Sequence, residues 1–265
     1  MKLGFVGAGN MAGAIIKGAV QSGVIAPTDL HIFDISESRM HELATSLGVI
    51  AYQQCDQMIR DSDMVVMAVK PYQIEAVFGQ QRESLRGKAV ISIAAGWTVE
   101  RLEALLPDDV RVLRVMPNTP ALVGAGMTVL SRQTSFTKAE QSAAESLFQA
   151  LGIAKWVGES QIEAAIGVSG SGPAYAFLFI EAMADGGVGQ GLTRQEATLM
   201  AAQTLLGAAK MALESGMHPG ELKDMVCSPS GTTIAAVREL EKNAFRSAVT
   251  EAVHAASERA KEMRS

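Results

Sequence analysis

The chain has 265 residues, 48% of them hydrophobic, so it is long enough to bury a large core and to divide into two domains. Its formal net charge is -5 and it has no basic run, which argues against nucleic acid or an anionic membrane as a partner. The two cysteines, Cys55 and Cys227, and the four scattered histidines lack metal-ligand spacing. We therefore expect no metal and no membrane span. Since no secretory signal is visible, we also expect a cytoplasmic location.

The first predicted element is an apolar strand, Leu3–Val6, followed without a gap by the glycine-rich turn Gly7-x-Gly9-x-x-Ala12 and an apolar helix pattern. Strand, tight turn and helix in this order are typical of a dinucleotide site, because the glycines let the chain turn and let a pyrophosphate approach the backbone. The start of the helix offers free N–H groups to the phosphates. Asp34 ends the next apolar run, where a ribose would be held.

Five further apolar stretches have the length of strands: Leu30–Asp34, Met64–Val69, Ala89–Ile93, Arg111–Met116 and Met127–Leu130. Strands that alternate with helices at this spacing predict an α/β fold with a doubly wound parallel sheet. Ligands of such sheets lie beyond the carboxyl ends of the strands, so small and polar clusters there should line one crevice. These clusters are Ala68–Pro71, Ala94–Gly96 and Pro117–Pro120. After the last strand, Thr137 and Glu140 form a capping box that begins a helix.

From about residue 161 the pattern becomes helical, with glycine or serine clusters that should break it at Ser169–Pro173, Gly186–Gly191, Ser215–Pro219 and Ser228–Gly231. We therefore predict a dinucleotide-binding domain over residues 1–160 and an all-helical domain over residues 161–265. The glycines of 186–191 are expected to join two helices. The stretches Glu181–Ala184 and Thr198–Ala212 carry few charges, and a helix that is apolar nearly all round is buried. A partner subunit is expected to cover them.

The chemistry of the second half is concentrated in Ser228-Pro-Ser-Gly-Thr-Thr233, a loop of small residues that leads into a helix. The N–H groups of 230–233 would form an anion site suited to a carboxylate. Serine and threonine also serve as ordinary N-caps, so the residues alone leave both interpretations open.

Taken together, these motifs resemble the pyrroline-5-carboxylate reductase family. The matching segments follow the family's order over nearly the whole chain: Gly7–Met11, Ala68–Pro71, Ala94–Gly96, Met116–Pro120, Val168–Tyr175, His218-Pro219 and Ser228–Thr233. The resemblance implies a Rossmann domain followed by a helical dimerisation domain. It also implies reduction of the C=N bond of 1-pyrroline-5-carboxylate to L-proline, the last step of proline biosynthesis, with NADPH or NADH as hydride donor. The implied assembly is a homodimer or a larger homo-oligomer such as a decamer.

The same resemblance implies the site residues. The cofactor would contact Gly7, Ala8, Gly9, Asn10, Met11, Asp34, Ala68, Val69, Lys70, Pro71, Ala94, Ala95 and Asn118. The substrate carboxylate would contact Ser228, Ser230, Gly231, Thr232 and Thr233, and Thr233 would be the catalytic hydrogen-bond partner of the ring nitrogen. The chain departs from the family pattern at three positions. Ser230 replaces a second glycine, Met225 replaces an asparagine of some members, and Ile35 replaces an arginine suited to a 2′-phosphate.

Two other functions are consistent with a dinucleotide site. A β-hydroxyacid dehydrogenase shares the two-domain plan, but those enzymes carry a lysine and an asparagine where this chain has Ala176 and Ile180. A non-catalytic module that senses NAD(P)H would not need the second anion site at Ser228–Thr233. The residues therefore favour the reductase over both alternatives.

Overall fold

The computed structural model describes residues 1–264, which form two compact units. The first unit comprises residues 1–171 together with 255–264, and the second comprises residues 172–254. We propose that the boundary between the two domains lies near residue 160, as the sequence predicts.

The first unit is built on one eight-stranded sheet. Its strands are β1 (Leu3–Val6), β2 (Leu30–Phe33), β3 (Ile50–Ala51), β4 (Met64–Met67), β5 (Ala89–Ser92), β6 (Arg111–Met116), β7 (Gly126–Ser131) and β8 (Gly152–Val157). The order across the sheet is β3-β2-β1-β4-β5-β6-β7-β8, and every neighbouring pair is parallel except β6 and β7. The predicted doubly wound sheet is confirmed. Strand order reverses at β1, which has β2 on one side and β4 on the other, and ligands bind at such a switch point.

Helices cover both faces of this sheet: α1 (Asn10–Ser22), α2 (Glu37–Leu47), α3 (Cys55–Arg60), α4 (Ile74–Gln81), α5 (Val99–Leu105), α6 (Lys138–Gln149) and α7 (Ile162–Ala165). Side chains alternate between the faces along each strand. In β4, Val66 packs into the core on one face, while Val65 and Met67 pack into the core on the other. This two-sided burial explains the continuous apolar run of the strand. The predicted capping box of Thr137 and Glu140 is present at the start of α6.

Two strands were not predicted from the sequence, β3 and β8. The two residues of β3 are too few to show a pattern. In β8, Ala154 and Trp156 pack against the core, whereas Ile153 is exposed. Because β8 lies at the edge of the sheet, its mixed composition reflects partial solvent exposure, and its pairing with β7 is set by tertiary structure.

The second unit is helical and contains α8 (Gly172–Gly189), α9 (Arg194–Ser215), α10 (Pro219–Val226) and α11 (Thr232–Lys242). The last helix, α12 (Phe245–Glu262), begins in this unit. No helix within residues 1–264 is long and apolar enough to cross a membrane.

Two predicted helix breaks are present but differ in detail, and the first of them lies between the end of α8 at Gly189 and the start of α9 at Arg194. Gly186, Gly187 and Gly189 lie inside α8, and only Gly191, with φ +97°, lies in the turn before α9. Gly187 permits close packing, because a Cβ there would lie 3.1 Å from the Ala197 Cβ. The predicted break at 169–173 lies between α7 and α8. Its first part forms a π-turn in which the Ser171 amide donates to the Ile166 carbonyl at 2.8 Å, and α8 follows at once.

Candidate functional site

Gly7 makes the sharp turn after β1. Its φ is +102°, a region that disfavours side chains, and a Cβ there would lie 2.7 Å from the carbonyl oxygen of Ala68. The Gly7 amide donates to the Phe33 carbonyl at 2.8 Å. The turn is therefore packed between the ends of β2 and β4, and its geometry requires glycine.

Gly9 serves a different purpose from Gly7. It is the N-cap of α1, where no side chain caps the helix, and a Cβ added to it would have no atom within 4 Å. The first N–H groups of a helix lack partners within the helix, so the space above Gly9 is bordered by free donors. A pyrophosphate fits such a cradle, and the predicted cofactor residues Ala8, Asn10 and Met11 lie in the same turn and the start of α1.

Asp34 lies beside this turn. Its Oδ2 accepts the Ala8 amide at 2.6 Å, and its Oδ1 accepts the Ser36 amide at 2.8 Å. The carboxylate therefore joins the glycine-rich turn to the segment after β2. Each oxygen has a further lone pair that could accept a hydrogen bond from a ribose hydroxyl. The contact of Asp34 with the cofactor stays a prediction. Ile35 is 87% exposed and contributes no charge here.

The segments after β4 and β5 are tied together by Trp97. Its indole Nε1–H donates to the Pro71 carbonyl at 2.9 Å. The structure thus brings together four of the predicted cofactor segments at the carboxyl edge of the sheet, which are Gly7–Met11, Asp34, Ala68–Pro71 and Ala94–Gly96. Within the third, the Val69 side chain is half-buried, and the exposed Lys70 donates its amide to Gln73 at 3.1 Å.

Asn118, also predicted to contact the cofactor, uses both ends of its amide within the protein. Its Nδ2 donates to the Ser169 carbonyl at 2.9 Å, and its Oδ1 accepts the Met127 amide at 2.9 Å. The side chain is buried. These contacts show a structural role that the sequence did not reveal, and the contact of Asn118 with the cofactor stays a prediction.

The Ser228–Thr233 loop lies in the second unit. Ser228 to Gly231 form a turn in which the Gly231 amide donates to the Ser228 carbonyl at 3.1 Å. Gly231, not a serine or threonine, is the N-cap of α11, and no side chain caps that helix. The ordinary N-cap interpretation is therefore wrong. The predicted anion site loses the Gly231 amide but keeps the first amides of α11.

The side chains of this loop are mostly accessible. Ser228, Ser230 and Thr232 are exposed, and Thr233 is half-buried on the first turn of α11. Ser230 adopts φ +56°, a left-handed conformation that glycine adopts more readily. Ser230 therefore has a backbone conformation suited to glycine, at the position where the family pattern has a second glycine.

Sequence reasoning missed a buried cluster of charges in the first unit. Arg114, fully buried within β6, pairs with Glu159 at 2.8 Å and with Glu163 at 3.0 Å. The only sequence signal was an arginine within an apolar strand. Burial, aided by Asp56, raises the pKa of the Cys55 thiol to about 12, so this thiol is not a nucleophile near neutral pH. Within residues 1–264, no group of acidic, histidine and cysteine side chains could hold a metal ion.

Comparison with known families matches both parts of the chain. Residues 2–96 match the family described as NADP oxidoreductase coenzyme F420-dependent. Residues 159–263 match pyrroline-5-carboxylate reductase dimerisation, a domain that indicates a homo-oligomer.

Individual proteins are similar to this chain over nearly its full length. Pyrroline-5-carboxylate reductase of Methanosarcina acetivorans is 44% identical over 99% of this chain and 97% of its own, and that of Escherichia coli is 42% identical over 99% and 98%. A solved pyrroline-5-carboxylate reductase from Coxiella burnetii superposes with a TM-score of 0.93 at 38% identity, covering 100% of this chain and 98% of that one. The Plasmodium falciparum pyrroline carboxylate reductase with NADP bound gives 0.91 at 32% identity, with the same coverage. The chain therefore belongs to the pyrroline-5-carboxylate reductase family.

Proposed function

We propose that this chain reduces the C=N bond of 1-pyrroline-5-carboxylate to L-proline with NADPH or NADH. The observation that carries the proposal is the pair of helices α1 and α11, each of which begins at a glycine N-cap without a side-chain cap. Two free helix N-termini suit two anions, the pyrophosphate of a dinucleotide and the carboxylate of a small substrate. A dinucleotide sensor would need only the first.

The residues of the first unit bind and orient the cofactor. The turn Gly7–Met11 would hold the pyrophosphate, and the segments Ala68–Pro71 and Ala94–Ala95 would line the ribose and the nicotinamide. When bound, the cofactor supplies the hydride for the C=N carbon. The rigid contacts of these segments, such as Trp97 to Pro71, keep the nicotinamide in one orientation.

The residues of the α11 loop act on the substrate. The amides at the start of α11 bind its carboxylate, and Ser228 and Ser230 add hydroxyl groups at the edge of the site. The Thr233 hydroxyl hydrogen-bonds the ring nitrogen and fixes the plane of the imine. A cyclic imine that arrives protonated needs no strong acid, so positioning supplies most of the catalysis.

The assembly that we propose is a homodimer through the helical unit, or a larger homo-oligomer such as a decamer. Large apolar side chains are exposed on α8 and α9, including Phe177 at 64%, Leu178 at 67% and Leu199 at 69%. Exposed apolar area of this kind marks an interface. We also propose a cytoplasmic location, which the free thiols Cys55 and Cys227 support.

Parallel assays on the purified chain test the function. Oxidation of NADPH and NADH is followed with 1-pyrroline-5-carboxylate, and reduction of NADP and NAD is followed with a series of β-hydroxy acids. The proposal predicts turnover only in the first assay. Turnover only with a β-hydroxy acid identifies a dehydrogenase, and cofactor binding without any turnover identifies a sensor.

A further inference from the structure

The buried cluster in the first unit is completed by the C-terminal end of the described chain. Arg114 is one guanidinium facing two carboxylates, Glu159 and Glu163, and both Arg114 and Glu163 are almost fully buried. A second cation is needed, because an unpaired buried charge is costly. Arg264 supplies it, with its Nη1 3.3 Å from Glu163 Oε2.

The same C-terminal residues lie against the loop that follows β5. Gly96 has φ +80°, and a Cβ there would lie 2.6 Å from the Met263 carbonyl oxygen, so the approach of the two backbones requires glycine. Arg101 joins the two segments, since its Nη1 donates to the Arg264 carbonyl at 2.6 Å and to the Gly96 carbonyl at 3.4 Å. The C-terminal segment, Met263 and Arg264, therefore lies directly against Ala94–Gly96, one of the two segments proposed to line the nicotinamide.

The contacts continue from Arg101 to the segment Ala68–Pro71, the other segment proposed to line the nicotinamide. The Arg101 guanidinium carbon lies 4.4 Å from the centre of the Trp97 ring, a cation–π contact. Trp97 in turn donates to the Pro71 carbonyl. An unbroken series of contacts thus runs from Glu163 through Arg264, Arg101 and Trp97 to Pro71.

We propose that Glu163, Arg264 and Arg101, here called the C-terminal clamp, are positioning residues that hold Ala94–Gly96 and Ala68–Pro71 in the conformation that binds the nicotinamide half of the cofactor. This inference deepens the proposed function and rests on it. Within residues 1–264, the hydrogen bonds and ion pairs of the clamp do not include the pyrophosphate turn Gly7–Met11, and the substrate loop belongs to the other unit. Loss of the clamp should therefore weaken cofactor binding without changing the affinity of the α11 loop for substrate.

The test removes residues 263–265 in a Trp156→Phe background, where Trp97 is the only tryptophan. The dissociation constant of NADPH is measured by energy transfer from Trp97 to the dihydronicotinamide, and exposure of Trp97 by acrylamide quenching. We expect the dissociation constant to rise about tenfold, quenching to increase, and KM for 1-pyrroline-5-carboxylate at saturating NADPH to change less than twofold. Arg264→Met should also raise the dissociation constant of NADPH and the quenching of Trp97, and it replaces the truncation as the test if the truncated chain fails to fold. Arg264→Lys should restore most of the affinity.

Arg111→Met is the matched control. It breaks an ion pair with Glu140 in the same unit, at the start of β6 and away from the carboxyl edge. It should lower the melting temperature and leave NADPH binding unchanged. The proposal is wrong if the truncated chain and Arg264→Met both bind NADPH as tightly as the wild type. It is also wrong if Arg111→Met loses as much NADPH affinity as these two variants. If the wild type binds NADPH but does not reduce 1-pyrroline-5-carboxylate, the proposed function fails while the clamp is still tested by binding.

Discussion

Gly7 and Gly9 lie two residues apart in the same turn, yet the structure predicts opposite consequences for their replacement by alanine. At Gly9 the added Cβ meets no atom within 4 Å. Alanine is a poorer N-cap than glycine, which lowers the free energy of unfolding by about 0.5–1 kcal/mol. Alanine also reduces the conformational entropy of the unfolded chain, which raises the free energy of unfolding by about 0.4–1 kcal/mol. The free energy of unfolding should therefore stay within about 0.5 kcal/mol of the wild type.

Binding of the cofactor should suffer instead, because the methyl group occupies the space that the pyrophosphate needs. Loss of one charge-assisted hydrogen bond costs about 1.5–3 kcal/mol, so the dissociation constant of NADPH should rise about 10- to 100-fold. Fluorescence titration with NADPH measures this, and urea unfolding without cofactor measures the stability. A Gly9→Ala variant that binds NADPH as tightly as the wild type would refute the placement of the pyrophosphate.

Gly7→Ala is the contrasting variant. Its Cβ would lie 2.7 Å from the Ala68 carbonyl oxygen, and φ is +102°. Backbone strain of this kind costs about 1–3 kcal/mol, and the contact adds to it. The melting temperature without cofactor should fall by about 5–10 °C. An unchanged melting temperature would contradict the described packing of the turn.

The remaining predictions concern single side chains. Thr233→Ala should lower kcat/KM by about 1–3 kcal/mol of transition-state stabilisation, and wild-type kinetics would remove Thr233 from the mechanism. NADH should be used well by the wild type, and Asp34→Ser should shift the kcat/KM ratio toward NADPH, because the carboxylate repels a 2′-phosphate; an unmoved ratio places Asp34 away from the ribose. Ser230→Gly should raise the free energy of unfolding by about 0.5–1 kcal/mol by relieving the positive φ, and a loss of stability would show that no strain is present. Although burial acts to raise it, hydrogen bonds from Arg111 and Thr137 hold the pKa of Glu140 below 4.5. Its contribution is therefore complete above the pKa of the unfolded carboxyl and is lost as the pH falls through the lower pKa of the folded state, so the stability gap between wild type and Glu140→Gln should narrow on acidification.

Features set by neighbouring residues were predictable from the sequence. The strand, turn and first helix follow from an apolar run and two glycines, and the capping box at Thr137 is a local pattern. The family motifs could also be recognised from the sequence, because each is a contiguous segment. These features are sufficient to identify the sheet and the elements that carry the two predicted anion sites.

Features set by distant residues were not predictable. The pairing of β8 with β7 depends on the antiparallel turn-back from β6, which no local pattern encodes. Gly186–Gly189 belong to a helix because Gly187 packs against Ala197 of the next helix. The Arg101 contact with the Arg264 carbonyl joins residues 163 positions apart, so no spacing rule indicates it.

The central claim is that this chain transfers a hydride from a nicotinamide to the C=N carbon of 1-pyrroline-5-carboxylate. The most direct measurement uses NADPH or NADH carrying deuterium at the transferred position, and analyses the product by mass spectrometry and NMR. The account predicts L-proline with one deuterium at the δ-carbon, formed in a 1:1 ratio with the oxidised cofactor. Proline without deuterium, or cofactor oxidation without proline, would contradict it.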